Sequence, residues 1–330
     1  ENEFTLQPQD GRYVLLFQWL VGRFAALSGS DIPLAWWVVQ LAAGVGLLVA
    51  VWSLLGAFFA DARERILCFV LVAFSGGLEW LPWAARSLLP NAVHDRLLAV
   101  TWPLISWNTF ESLFAPLSTL AYALVVSLLV IVLRGADKPG RRRHALGSLL
   151  VLLIYATHGY TALGLAGILG TTLVLGVARR RIARRALPME SASLLLLCLS
   201  FALPFALCVW QMQDPVFAAS LGRAAAAEAA HRVWLWPLTQ GLVLALAVIG
   251  LPTVWRRDDA PSRLLLGWLA GTALLANLPF FSPSRFLFLL HLPLCVAATI
   301  GIGLVREHGP AWARARATTL AALFALFATN

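Results

Sequence analysis

The sequence predicts an all-α, polytopic integral membrane protein. About nine membrane-embedded helices are expected, two of them forming a short-helix hairpin over 145–178, plus an outer interfacial helix. Three observations lead there. First, 60% of the 330 residues are hydrophobic and 12% are charged, and the mean hydropathy is +0.80. A water-soluble surface stays hydrated with about 25% charged residues, so half that share excludes a soluble globule, a disordered chain and a nucleic-acid module. Second, continuously apolar runs long enough to cross about 30 Å of hydrocarbon recur along the chain, whereas a transmembrane barrel would alternate apolar and polar residues. Third, the 25 cationic residues, all arginine except Lys138, gather in short joints between those runs. The net charge of +9 is therefore a mark of membrane topology.

Residues 1–33 read as the end of an outer loop. Within them, 11–29 are apolar yet carry Arg12, Gln18 and Arg23. If 34–59 run from outside to inside, a span at 11–29 would have to start in the cytoplasm, so an amphipathic helix on the outer interface fits the charges better. Residues 34–330 form one multi-pass domain. Its apolar segments fall near 34–59, 66–83, 114–133, 145–157, 161–178, 191–212, 236–254, 264–280 and 286–305, with a partial one from 318. Five joints hold 18 of the 25 cations: Arg63 and Arg65, Arg134 to Arg143, Arg179 to Arg185, Arg256 to Arg263, and Arg306 to Arg316. The positive-inside rule places these joints in the cytoplasm.

Both flanks of 145–178 are then cytoplasmic. As one helix, these roughly 34 residues would reach about 51 Å, against about 30 Å of hydrocarbon. Two short helices are expected instead, turning at Thr157-His158-Gly159-Tyr160, with one long tilted helix as the alternative. The chain begins at Glu1 and stops at Asn330 within an apolar run, so a piece lacking both ends is expected, its multi-pass domain incomplete at the C-terminus.

The four cysteines, Cys68, Cys198, Cys208 and Cys295, lie inside apolar segments and read as small hydrophobes. There is no phosphate-binding glycine loop, no paired-cysteine metal spacing and no HExxH helix, so neither a metal nor a cofactor is expected. Gly44 and Gly46, like Gly164 and Gly167, read as small helix-packing residues.

The basic joints are too short to hold a cytoplasmic domain, which leaves the outer face as the place for a site. Glu79 ends its segment beside Trp80 and Trp83, either as an interfacial carboxylate reaching water or as a site acid. Glu111, in Ser106-Trp107-Asn108-Thr109-Phe110-Glu111, is either a helix-start acid or a substrate ligand. Arg285 stands in the short apolar turn Pro279-Phe280-Phe281-Ser282-Pro283-Ser284, with His291 and Pro293 following. An arginine there is costly unless it snorkels to headgroups or clamps an anion through its planar fork. His158 and Tyr160 at the hairpin tip, and His291 in the next helix, need polar partners for the same reason. These four residues are expected at comparable depth, around an outward-facing cavity.

Three stretches resemble bacterial membrane glycosyltransferases of the GT-C class, near the protein mannosyltransferase and aminoarabinose transferase group. Pro8 to Gly29 with the span at 34–59 looks like the end of that class's first outer loop and its second transmembrane helix. Thr157-His158-Gly159-Tyr160 resembles a His-Pro-Tyr turn, with Gly159 in place of proline. Leu278-Pro279 through Arg285 to His291-Leu292-Pro293-Leu294 resembles a Pro…Arg…His-x-Pro-Leu pattern. The resemblance implies an enzyme of the bacterial cytoplasmic membrane with its site facing the periplasm or exterior. It would move a sugar from a polyprenyl-phosphate carrier to a glycan, lipid or protein acceptor, with a carboxylate as general base. Arg285 maps as the phosphate partner, and His158, Tyr160 and His291 as cavity-lining residues. The class carries its acidic base in the first outer loop, expected upstream of Glu1, so no catalytic residue is named here. The same features fit a transporter or flippase for a lipid-linked or anionic solute, with Arg285 as counter-charge. A structural membrane subunit without a site is the third reading.

Overall fold

The computed structural model describes residues 16–75, 90–91, 116–135, 140–182, 189–211, 213, 236–278 and 284–308. Every element among them is a helix. In chain order these are α1 (Leu16–Ser28), α2 (Ile32–Leu55), α3 (Ala62–Phe74), α4 (Pro116–Gly135), α5 (Arg141–Thr157), α6 (Gly159–Ile182), α7 (Met189–Leu199), α8 (Ala202–Gln211), α9 (Trp236–Arg256), α10 (Ala260–Leu275) and α11 (Ser284–His308). Five stretches are long and apolar enough to cross a membrane: Ile32–Leu55, Leu117–Gly135, Gly159–Ile182, Ser191–Gln211 and Phe288–His308. The protein is thus a helical, multi-pass membrane protein.

Local chemistry explains the helix limits. Asp31, Asp61 and Asp259 are N-caps, their carboxylates accepting from the amides of Leu34 (2.9 Å), Arg63 (3.0 Å) and Ser262 (2.8 Å). Arg134, Arg179 to Arg181, Arg256 and Arg306 occupy last turns, where positive charge meets the negative end of the helix dipole. Arg141 to Arg143 instead open α5 against its dipole, after an N-cap Gly140 with no side-chain bond. Helix energetics does not account for their place there. α1 ends at Gly29, whose φ of 68° is left-handed.

The element boundaries refine the expectations. The hairpin is present, but only α5 is short, because α6 runs 24 residues and is a candidate span in itself. The segment near 191–212 resolves into α7 and α8 on either side of Ser200 and Phe201. The segment near 236–254 is interrupted at Gly241, whose φ of 51° and ψ of −137° only glycine adopts without strain. α1 buries the stripe Phe17, Val21 and Ala25 against Ala35, Trp36, Leu117 and Leu120, while Trp19, Phe24 and Leu27 are exposed on its other sides.

Contacts between helices show that the basic joints share one end. The starts of α2 and α4 meet through that α1 cluster, so the two helices run parallel and finish together, near Arg65 and Arg134. Val132 and Leu194 line one crevice with Arg143 and His144, and another with Gly176 and Arg263. The start of α5, the end of α6 and the start of α10 are therefore neighbours. α9 and α11 run parallel, Gln240 lying beside His291 and, ten residues on in both helices, Gly250 beside Gly301, so Arg256 and Arg306 join the same end. α3 runs opposite to α11, with Ser75 at the level of His291 and Cys295 and Cys68 at that of Thr299, so its start lies toward the arginines.

Small residues set the closest helix pairs. A Cβ on Gly250 would stand 2.0 Å from the Ala297 carbonyl, and one on Gly267 2.1 Å from Thr172 Oγ1. Gly271 meets the Gly167 carbonyl at 2.5 Å in the same sense, and Thr171 Oγ1 donates across to the Gly267 carbonyl at 2.5 Å. Close backbone approach with hydroxyl bridges holds helices together where lipid removes the hydrophobic drive. Gly164 and Gly167 pack as expected, against Leu289 and Leu275. Gly44 is buried, but Gly46 faces open space with nothing within 4 Å, so packing does not explain it. In α11, Pro293 lacks the amide that would serve the Leu289 carbonyl four residues earlier. Buried Trp268 of α10 fills the role, its Nε1–H donating to that carbonyl at 2.8 Å.

Candidate functional site

The hairpin tip is built by His158. Its backbone, at φ −158° and ψ 100°, is extended and breaks the helix, while its carbonyl accepts from Thr161 N at 3.0 Å and starts α6. The imidazole folds back onto that new helix, Nδ1 lying 2.7 Å from Thr161 Oγ1. His158 therefore starts α6 through its backbone carbonyl, while its side chain pairs with the Thr161 hydroxyl of the first turn. Tyr160, two residues on, has its ring centroid 6.0 Å from the His158 ring and 6.3 Å from Phe286, which it meets edge-on. Phe286 is fully buried, so this contact fixes the start of α11 against the start of α6. Arg285 precedes Phe286 in the first turn of α11. The hairpin tip and the arginine-bearing turn are thus neighbours, at the end of the bundle away from the basic joints. The described residues include the backbone of Arg285 but not its side chain, and Glu79 and Glu111 lie outside them.

His291 lies further along α11 and has different company. It is 2% exposed, with Nδ1 3.3 Å from Gln240 Oε1, Nε2 3.3 Å from Ser75 Oγ and Cys295 Sγ 3.5 Å from Nε2. Ser75 gives its single hydroxyl hydrogen to the Leu71 carbonyl, at 2.5 Å. The group ties α3, α9 and α11 together immediately beside the Gly241 break. Tyr122, edge-on to Phe288 at 5.6 Å, adds a buried hydroxyl that has no hydrogen-bond partner among the described residues. His291 spends both ring nitrogens inside this group, whereas His158 and Tyr160 stand with the first turn of α11.

The sequence reading singled out neither Gln240 nor Ser75. Their signal is that of any polar side chain inside an apolar segment, which must find a partner in the bundle. What could not be read is which partner, because Ser75 and His291 are 216 residues apart. Among the described residues no cluster of three or more histidine, cysteine or acidic side chains could hold a metal ion.

No family model, curated protein or solved structure matches this chain. The likeness to GT-C glycosyltransferases accordingly stands on the three sequence stretches given above.

Proposed function

We propose that the protein is a multi-pass glycosyltransferase of the bacterial cytoplasmic membrane. In this reading about nine helices are membrane-embedded, the arginine joints face the cytoplasm and the site faces the periplasm or exterior. The enzyme takes a sugar from a polyprenyl-phosphate carrier and passes it to a glycan, lipid or protein acceptor. The observation that carries the reading is the meeting of the hairpin tip with the first turn of α11, where Tyr160 touches Phe286 next to Arg285. Arg285 would hold the departing lipid phosphate, whose charge grows as the glycosidic bond breaks. His158 and Tyr160 would line the donor site beside it. His291 would support the site from behind, through α11.

The test is sugar transfer in membranes containing the protein, using radiolabelled polyprenyl-phosphate sugars as donors. Arg285→Ala is expected to abolish transfer while membrane insertion and amount stay normal; full activity in that variant removes Arg285 from the mechanism. One observation favours a transporter or flippase instead. A helix broken at Gly241 beside buried Gln240, Ser75 and His291 resembles the discontinuous helices that line transport sites. Movement of a lipid-linked sugar across proteoliposomes, without transfer to any acceptor, would select that reading.

A further inference from the structure

Where the arginine joints meet, one acid faces three guanidinium groups. Arg263 is buried, at 6% exposure, and its Nη1 donates to the Asp258 carbonyl at 2.7 Å and to Oδ1 at 2.9 Å. Arg180 Nη2 stands 3.4 Å from Oδ2 of the same carboxylate. Arg179 lies over the Trp255 ring, 4.8 Å from its centroid, and donates to the carbonyls of Trp255 and Arg257 at the end of α9. Those carbonyls lie where the helix runs out of amides to serve them. Partial desolvation works against ionisation of Asp258. The Arg263 hydrogen bond and the charges of Arg180, Arg263 and Arg179 outweigh it and hold the carboxyl below its ordinary 3.8. The three arginines are thereby fixed in place, yet one carboxylate cannot neutralise them.

The excess grows across the surroundings. The end of α6 and the α9–α10 joint carry Arg179, Arg180, Arg181, Arg256, Arg257 and Arg263 against Asp258 and Asp259 alone. Asp259 is engaged as the cap of α10. Arg180 Nε is buried without a hydrogen-bond partner among the described residues. The charge begins directly where the apolar lengths of α6 and α9 end, the level at which headgroups lie. Trp255, 53% exposed, stands at that border, the usual place for an indole between headgroup and acyl chain.

We propose that this patch binds the headgroup of an anionic phospholipid, the phosphate meeting the guanidinium groups on the Arg180 and Arg257 side and Trp255 lying against the upper acyl chain. Arginine forks match phosphate oxygens in pairs, and prior anchoring by Asp258 lowers the ordering cost of binding. Basic pockets between membrane helices hold lipid headgroups by the same physics. The inference goes beyond sugar transfer and does not depend on it.

Native mass spectrometry of the purified full chain, offered phosphatidylglycerol or phosphatidylcholine in neutral detergent, tests it. Phosphatidylglycerol is expected to stay bound and phosphatidylcholine to leave. Arg180→Gln with Arg257→Gln should weaken retention about fivefold for each arginine removed. Arg23→Gln, on the exposed side of α1 at the other end of the bundle, should leave retention unchanged. Helical circular dichroism and monodisperse elution check folding, and Arg257→Gln alone, at an exposed residue, serves if the pair fails that check. Three results overturn the proposal: equal retention of both lipids, undiminished phosphatidylglycerol in the folded variant, or displacement of the lipid by inorganic phosphate at equal concentration, which would mark a free-anion site.

Discussion

Pro293 leaves the Leu289 carbonyl without its helical partner, and Trp268 supplies the missing donor. Trp268→Phe keeps most of the ring but strands that carbonyl in an apolar interior, at a cost of about 1–3 kcal/mol. In a Pro293→Ala background the helix provides its own amide, so the same tryptophan substitution should cost clearly less. A double-mutant cycle by reversible unfolding in detergent reads the difference, and equal losses in both backgrounds would refute the pairing. Asp258 allows a second expectation at this scale. Its carboxyl is held below 3.8, so its contribution to stability is present above that value and disappears as pH falls through the lower, folded-state value. Asp258→Asn should lack this acid-dependent step while sharing the rest of the acid profile. An identical profile in both proteins would show that the cluster does not bind the carboxylate more tightly in the folded state.

Among elements, glycines separate sharply by what faces them. Gly250→Ala drives a methyl group into the Ala297 carbonyl of α11, backbone against backbone, and should destabilise by about 1–3 kcal/mol. Gly46→Ala meets nothing within 4 Å and removes a flexible residue from the interior of α2, so it should be neutral or stabilising by about 0.5–1 kcal/mol. Thermal unfolding of the two variants decides it. From sequence these glycines look alike, because a glycine in an apolar run says nothing about the distance to the next helix. The His158 break was legible for the opposite reason. Two basic flanks cannot lie at one end of a single helix, so the chain had to turn between them, and Gly159 marked the place. The Gly241 break had no such bracket, since Arg232 before its segment falls in a predicted outer loop and only the Arg256 to Arg263 joint belongs to the basic end. The aspartate caps carried a readable signal in Asp31-Ile32-Pro33 and Asp259-Ala260-Pro261, an N-cap acid followed by an early proline.

At the scale of the whole molecule, charge organises the bundle more than any motif does. Basic joints far apart in sequence come together at one end, while the hairpin tip, Tyr160 and the first turn of α11 sit at the other. This gathering was legible because the positive-inside rule acts on every joint independently, with no knowledge of which helices touch. The pairing of His158 and Tyr160 with α11, and of His291 with Gln240 and Ser75, was not, because depth in the membrane says nothing about rotation of a helix about its axis. The most direct test uses single cysteines in a background without Cys68, Cys198, Cys208 and Cys295, labelled in sealed vesicles with an impermeant thiol reagent. Gly159→Cys at the hairpin tip should react from one side only, and Arg142→Cys, Arg181→Cys and Arg306→Cys only from the other. Labelling of Gly159→Cys from the same side as Arg142→Cys would contradict the two-ended bundle, and with it the placing of a site opposite the arginines.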